Sequence, residues 1–237
     1  MKITWLGQGG YLLEIAGQRL LVDPYMSDIV EKKTGLKRLI QPPLLIEDLN
    51  PDVIFITHDH MDHFDPIALP KIHKSYPKAL LAGPDSVIQK ARDLNFNPSV
   101  LIALSTNESR DFGFFKITAT PAFHSDPFAV GCLIQGEDTL IYISGDTLFT
   151  QTLVNEIRHI TQKTIDMAFI CINGKLGNMK WAEAVTVVGR LKPRLAVPMH
   201  YGMFAENTEN PSLFLDGCEK KRIPALEMIP GKTVTVV

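Results

Sequence analysis

Short apolar and β-branched runs recur along the chain, bounded by Gly, Pro, Asn or Asp. At the N-terminus "KITWL", "YLLEIA" and "QRLLVD" follow one another, with Gly9-Gly10 and Ala16-Gly17 between them, the pattern of strands joined by hairpins. Further strands are predicted at "DVIFIT", "ALLAG", "SVLIAL", "FFKITATP", "FAVGCLIQ", "TLIYISG", "DMAFICING", "RLAVPMH", "ALEMI" and "TVTVV". Between these runs the spacing becomes helical over Pro66 to Tyr76, Asp85 to Leu94, Thr150 to His159, Trp181 to Leu191 and Ser212 to Lys221. Asp65 stands where an N-cap belongs, with Pro66 at the first helical position, and Pro224 follows the last helix. Strands mixed with helices in both halves predict an α+β (mixed α/β) layered architecture, taken as one domain over residues 1–237. Pro24 to Pro43 is the longest irregular stretch, and loops of that length are usually functional or mobile.

Composition narrows the class. With 237 residues, 45% of them hydrophobic, the chain can bury roughly 70–75% of its unfolded surface. A net charge of −2, with only short basic patches at Lys32-Lys33, Lys37-Arg38 and Lys220-Lys221-Arg222, is no footprint of a nucleic-acid binder. Gln8, Glu14 and Arg19 interrupt the first apolar segment before it reaches signal-peptide or membrane-span length, so a cytoplasmic protein without membrane association is expected. Cys132, Cys171 and Cys218 form no CxxC pair and read as reduced thiols, the first two in buried strands.

The chemistry concentrates in "HDHMDH", residues 58 to 63. On a helix His58 and His60 would point about 200° apart. In an extended strand His58, His60 and Asp62 would share a face yet spread over about 13 Å, too far for metal bonds of about 2 Å. The chain must therefore leave the strand and curl, so that His58 and His60 converge on one ion while Asp62 and His63 turn towards a second position. Three other apolar runs also end in ligand-type residues: "ITATPAF" at His124, "TLIYISG" at Asp146 and "RLAVPM" at His200. Each of those residues alone would read as a capped turn or a satisfied core group. Together with the hexapeptide they make seven nitrogen and oxygen donors at strand ends, where sheet scaffolds build sites. Asp59 and Met61 are not needed as ligands and read as supporting or packing positions. His73 and His159 fall within helices and read as surface histidines.

The order, residue types and spacing of His58, His60, Asp62, His63, His124, Asp146 and His200 resemble the metallo-β-lactamase superfamily and its HxHxDH motif with distant His, Asp and His. That resemblance implies a four-layer αββα sandwich with two pseudo-symmetric halves and a dinuclear site at one edge between the sheets. It implies that His58, His60 and His124 hold one metal, Asp62, His63 and His200 the second, and that Asp146 bridges them. The lack of a cysteine ligand, of an additional helical domain and of a basic arm argues against the secreted lactamase, glyoxalase II and tRNA-processing branches. "WLGQGG", "GDT", "NGKLGNMK" and "PMHY" are similar to the L-ascorbate 6-phosphate lactonase-like branch.

The implied activity is a metal-dependent hydrolase that opens an ester or lactone, such as a phosphorylated sugar lactone, with hydroxide formed between two divalent ions. Asp62 and Asp146 would orient the nucleophile, and Asp62 would shuttle its proton. All-N/O ligation suits Zn²⁺, Mn²⁺ or Fe²⁺, and the lactonase-like branch points to Mn²⁺. Asn173, Lys175, Asn178 and Lys180, with Tyr201 beside the last ligand, are candidates to grip a small anionic substrate. Lys32, Lys33, Lys37 and Arg38 on the long loop read as solvated surface, with a lid of the same preference as the alternative. Two other readings stand beside this one: a phosphodiesterase on the same metals, and a non-catalytic metal-binding sensing module. Homo-oligomerisation is left open.

Overall fold

The computed structural model describes residues 1–236. Strands β1 (Lys2–Gly7), β2 (Gly10–Ile15), β3 (Gln18–Val22), β4 (Val53–Phe55), β5 (Leu80–Gly83) and β6 (Leu101–Ala103) lie side by side in that order. A second sheet takes β7 (Ser109–Asp111), β8 (Lys116–Pro121), β9 (Val130–Gln135), β10 (Leu140–Ile143), β11 (Met167–Cys171) and β12 (Leu195–Met199), again in chain order. The chain then returns, and β13 (Thr233–Thr235) pairs antiparallel with β1. Each sheet starts with antiparallel hairpins and ends in parallel strands reached through helices, β3–β4–β5–β6 in one and β10–β11–β12 in the other.

The inner strands of both sheets are buried on both faces and read as nearly continuous apolar runs for that reason, whereas the edge strands β6, β7 and β13 are largely open. In β2, Tyr11, Leu13 and Ile15 turn towards the second sheet, where Tyr11 meets Phe169 of β11 at a ring separation of 4.7 Å. Burying side chains of this size contributes about 1.5–3 kcal/mol each. Leu12, between them, faces the other way into a cluster with Leu69, Ile72, Val87 and Ile88. That cluster is capped by α3 (Ala68–Ser75) and α4 (Asp85–Asp93), following the short α1 (Ile29–Thr34) and α2 (Ile46–Leu49). On the far side α5 (Leu153–Ile160) and α6 (Trp181–Leu191) bury Ile157, Val185 and Val188 against the second sheet, and α7 (Pro211–Lys220) lies on α6. Helix, sheet, sheet, helix is the layering implied by the motif.

Several boundaries differ from the sequence reading. Helix α3 is regular from Ala68 rather than Pro66, while Asp65 caps the turn before it as expected, its carboxylate accepting from the N–H groups of Ile67 and Ala68. Helix α5 starts at Leu153, whose N–H is held by the Thr150 hydroxyl. "ALEMI" is no strand: Ala225 makes one bridge to Ala196 before the chain turns away. Strand β7, "SRD", carries no apolar residue and went unpredicted. Pro24 to Pro43 contains α1 and is less irregular than its composition suggests. Val237, at the end of the predicted terminal strand, lies outside the described residues. Cys132, Cys171 and Cys218 are all free and buried. Among the described residues no helix is long and apolar enough to cross a membrane.

Candidate metal centre

Strand β4 delivers the chain to His58 at a buried strand end, and the backbone then folds on itself. The N–H groups of His63 and Phe64 both reach the His60 carbonyl, at 3.0 and 2.7 Å. This turn is the curl that the spacing required. It sets the His58 ring 4.7 Å from that of His60 and 4.1 Å from that of His63. The second sheet supplies the rest from three separate strand ends: His124 beyond β8, Asp146 beyond β10 and His200 beyond β12. Gly145 permits the turn before Asp146, with a φ of +57° and the Val130 carbonyl 2.8 Å from where a Cβ would stand.

The seven side chains meet. One group of mutually close donor atoms is His58, His60 and His124; another is Asp62, His63 and His200; a third joins His58, His63 and Asp146. Asp146 lies between the first two, with Oδ2 3.0 Å from His200 Nε2 and 3.9 Å from His124 Nε2, and Oδ1 3.4 Å from His63 Nε2. His58 Nε2, His63 Nε2 and Asp146 Oδ1 are buried and have no hydrogen-bond partner. Buried polar atoms are normally satisfied, so three orphans in one cluster mark a place for a cation. Nitrogen and oxygen donors in these numbers fit divalent ions.

A family model described as "Beta-lactamase superfamily domain" matches residues 18–201. A UPF0173 metal-dependent hydrolase of Sulfurisphaera tokodaii is 30% identical over 240 residues, covering 98% of each chain. This chain belongs to the UPF0173 family of that superfamily. A UPF0173 protein of Pyrococcus furiosus is 29% identical, over 94% of this chain and 93% of its own. A metallo hydrolase of Ignicoccus hospitalis, 22% identical, shares the fold with a TM-score of 0.78 over 98% of this chain and 97% of its own.

Behind the donors of this UPF0173 member stands a set of orienting groups. Asp23, fully buried, accepts from His63 Nδ1 at 2.7 Å, from the Thr57 hydroxyl at 2.7 Å and from the Thr57 N–H at 2.8 Å. Thr57 Oγ1 lies 3.0 Å from His58 Nδ1, so one carboxylate governs two histidines. The Gly177 carbonyl holds His124 Nδ1 at 3.1 Å, and the Asn178 amide donates to Asp146 Oδ2 at 2.8 Å. The Gln8 amide, buried, lies 2.7 Å from Asp62 Oδ2 and 3.0 Å from His200 Nε2. Asp23, Thr57 and Gln8 were missed in the sequence reading. Asp23 ends the apolar run "QRLLVD" just as Asp146 ends its own, and the same strand-end rule would have found it.

Electrostatics divide the cluster. Burial, and then His63, keep the His58 imidazole well below its usual pKa, and burial with His124 lowers His60. Burial thus favours in both the neutral imidazole, the form that can bind a cation. Burial opposes charge on His63 and His200, but the Asp146 carboxylate foremost outweighs it, raising His63 and pushing His200 up to about 9. Burial also works against ionised Asp62 and Asp146, yet His63 beside the one and His200 beside the other hold both carboxyls well below the usual range.

The expected substrate contacts have other partners. Asn173 donates to Asn207 Oδ1 and the Lys175 carbonyl, and accepts from Asn178. The Lys175 ammonium donates to the Glu206 carbonyl, and Lys180 forms the N-cap of α6, its N–H held by Glu183. Tyr201 is buried on Trp5 with its hydroxyl on the Met228 carbonyl. Of these residues only Asn178 touches the cluster. Arg38, expected on the solvated surface, is buried: it donates to the carbonyls of Ile40, Ser27 and Tyr25 and lies over the Tyr25 ring. Lys32, Lys33 and Lys37 are exposed. Asp59 and Met61 fall outside the three donor groups, as the spacing anticipated.

Proposed function

We propose that this chain hydrolyses an ester or lactone bond of a small molecule with two divalent cations held between its sheets. The orphaned, mutually facing atoms His58 Nε2, His63 Nε2 and Asp146 Oδ1 carry this reading. His58, His60 and His124 would hold one cation and Asp62, His63 and His200 the other, with Asp146 shared. Zinc, manganese or iron(II) in that place would polarise the scissile carbonyl and bring the acidity of water near neutrality.

The chain's own residues contribute orientation and proton transfer. Asp62, 18% exposed against 5% for Asp146, is the cluster carboxylate open to an entering molecule. Its carboxylate is placed to orient the attacking water and would take its proton. The Gln8 amide fixes the oxygen that does so. Water adds across the acyl C–O bond, and a carboxylic acid and an alcohol leave. The phosphorylated sugar lactone of the lactonase-like branch draws no support from Asn173, Lys175 or Tyr201, whose polar atoms are engaged elsewhere.

The test is elemental analysis followed by turnover of p-nitrophenyl esters, lactones and bis(p-nitrophenyl) phosphate by the wild type, His60→Ala and Asp62→Asn. Ester or lactone turnover lost in both variants, with the fold kept, is the expected outcome. Phosphodiester turnover alone would replace the reading with a phosphodiesterase. Full metal occupancy without any turnover would leave a binding module, and full activity in His60→Ala would overturn the site.

A further inference from the structure

Beside the cluster lies a cavity of about 380 Å³ that His60 and Asp62 reach from one side. Two other clefts, of about 420 and 550 Å³, share no residue with the cluster. The walls of the first are Val30, Leu36, Met61, Leu176 and Phe204. Helix α1 turns Val30 and Thr34 to it from one face, a helical turn apart, and Arg38 ties that segment down through three backbone carbonyls. Leu176, otherwise a 70% exposed leucine, overhangs from the loop before α6. The size is at the lower end of small-molecule sites, about 300–1,000 Å³.

The charges around this cavity decide what it can take. Lys90 is its only cation among the described residues, and that ammonium is bonded to Asp59 twice, at Oδ2 (2.9 Å) and at the backbone carbonyl (2.7 Å). The pair cancels, and Asp62 at the inner end would be taken up by the cation it helps to hold, which leaves the apolar walls without a charged group of their own. A substrate anion placed against Val30, Leu36 and Phe204 would lose its hydration without gaining a partner.

We propose that this cavity seats the part of the substrate that is not cut, and that this part is uncharged and apolar, a short alkyl or aryl group. The inference rests on the hydrolase reading and revises the anionic substrate expected from the sequence. It also gives Met61 a purpose within the motif: it carries one wall of the cavity between two ligands.

Binding and turnover are measured separately on the metal-loaded protein. Butyranilide and succinanilate have nearly the same shape and differ by a methyl against a carboxylate. Saturation-transfer NMR titrations should give butyranilide a Kd lower by at least about tenfold, the carboxylate having no partner in the cavity. Val30→Lys, or Leu36→Lys should the first fail to fold, is expected to narrow or invert that ratio by at least about tenfold through a new ion pair. Turnover of p-nitrophenyl butyrate against mono-p-nitrophenyl succinate should follow the same order. Equal or tighter binding of succinanilate, no binding of either anilide, or a ratio unmoved in both lysine variants would overturn the proposal. Butyranilide binding with turnover of neither ester would uphold the cavity's preference and overturn the hydrolase reading instead.

Discussion

Replacing Asp23 with asparagine removes no atom from the metal cluster and should nevertheless disable half of it. Asp23 can only accept, so with its Oδ2 2.7 Å away the His63 Nδ1 carries a proton, and in the neutral imidazole that would bind a cation the lone pair is on Nε2, facing Asp146 and Asp62. In Asp23→Asn one orientation retains the bond from the Thr57 N–H but sets an NH₂ against His63 Nδ1. The imidazole answers by moving its proton to Nε2, which then cannot bind a cation. Loss of such an orienting partner typically weakens metal binding by about 10–100-fold, or about 1.4–2.8 kcal/mol. In the flipped orientation the NH₂ instead faces the buried Thr57 N–H, a mismatch that costs about 1–3 kcal/mol of folding stability. Competition with a chromophoric chelator reads the first effect, denaturant melts the second, and ¹⁵N spectra of the ring show which nitrogen holds the proton. Wild-type metal affinity together with wild-type stability in Asp23→Asn would refute the orienting role.

Three further outcomes follow from the same geometry. Chelation should lower the melting temperature: a cation at 100 times its Kd stabilises by about 2.7 kcal/mol, which for a chain of this length is about 5–11 °C; restoration by added Zn²⁺ or Mn²⁺ is expected, and an unchanged melt would speak against a buried site. Gly9→Ala places a Cβ 2.7 Å from His63 Cε1 where φ is not positive, so steric displacement of the ring is its main effect; hydrolysis should fall about 10- to 100-fold, and kinetics equal to wild type would show that the ring has room. Arg38→Ala removes the three carbonyl bonds that hold residues 24–43 and should cost about 2–4 kcal/mol; faster hydrogen exchange confined to that segment, with metal content unchanged, is the expected signature, and wild-type exchange would refute it.

What could be read in advance, and what could not, follows the range of the interactions. The meeting of the seven side chains was legible because His58, His124, Asp146 and His200 each follow an apolar run, strand ends being written in local sequence, and His60, Asp62 and His63 share the turn that His58 begins. The curl of residues 58–63 was legible from bond lengths alone. The pairing of Asn173 was not legible because its partner, Asn207, lies 34 residues away, and no spacing rule pairs two asparagines at that distance. Arg38 was misread for a related reason: "KKTGLKR" looks solvated, and only the folded segment turns three of its own carbonyls onto one guanidinium. "ALEMI" has the apolar content of a strand, but the backbone leaves the sheet after Ala225.

Backbone conformation around the cluster was the least legible feature and bears most directly on function. Gln8, Asp23 and His200 all have left-handed φ, at +51°, +42° and +62°. None is the glycine that such conformations favour, and each costs of order 1–3 kcal/mol unless its surroundings hold it. Those surroundings are shared: the His200 N–H reaches the Gln8 carbonyl, the Gln8 side chain reaches His200 and Asp62, and Asp23 is locked by Thr57 and His63. Gln8 belongs to the first sheet and His200 to the second, so these two find each other only when the sheets are packed, whereas Asp23 is held within the first sheet by Thr57 and His63. Formation of the donor set is therefore tied to closure of the core between Tyr11 and Phe169. A glycine at Gln8 or Asp23 would relieve the backbone and remove the group that the strain positions, which is why residues unfavourable for the turn stand where the chemistry needs their side chains.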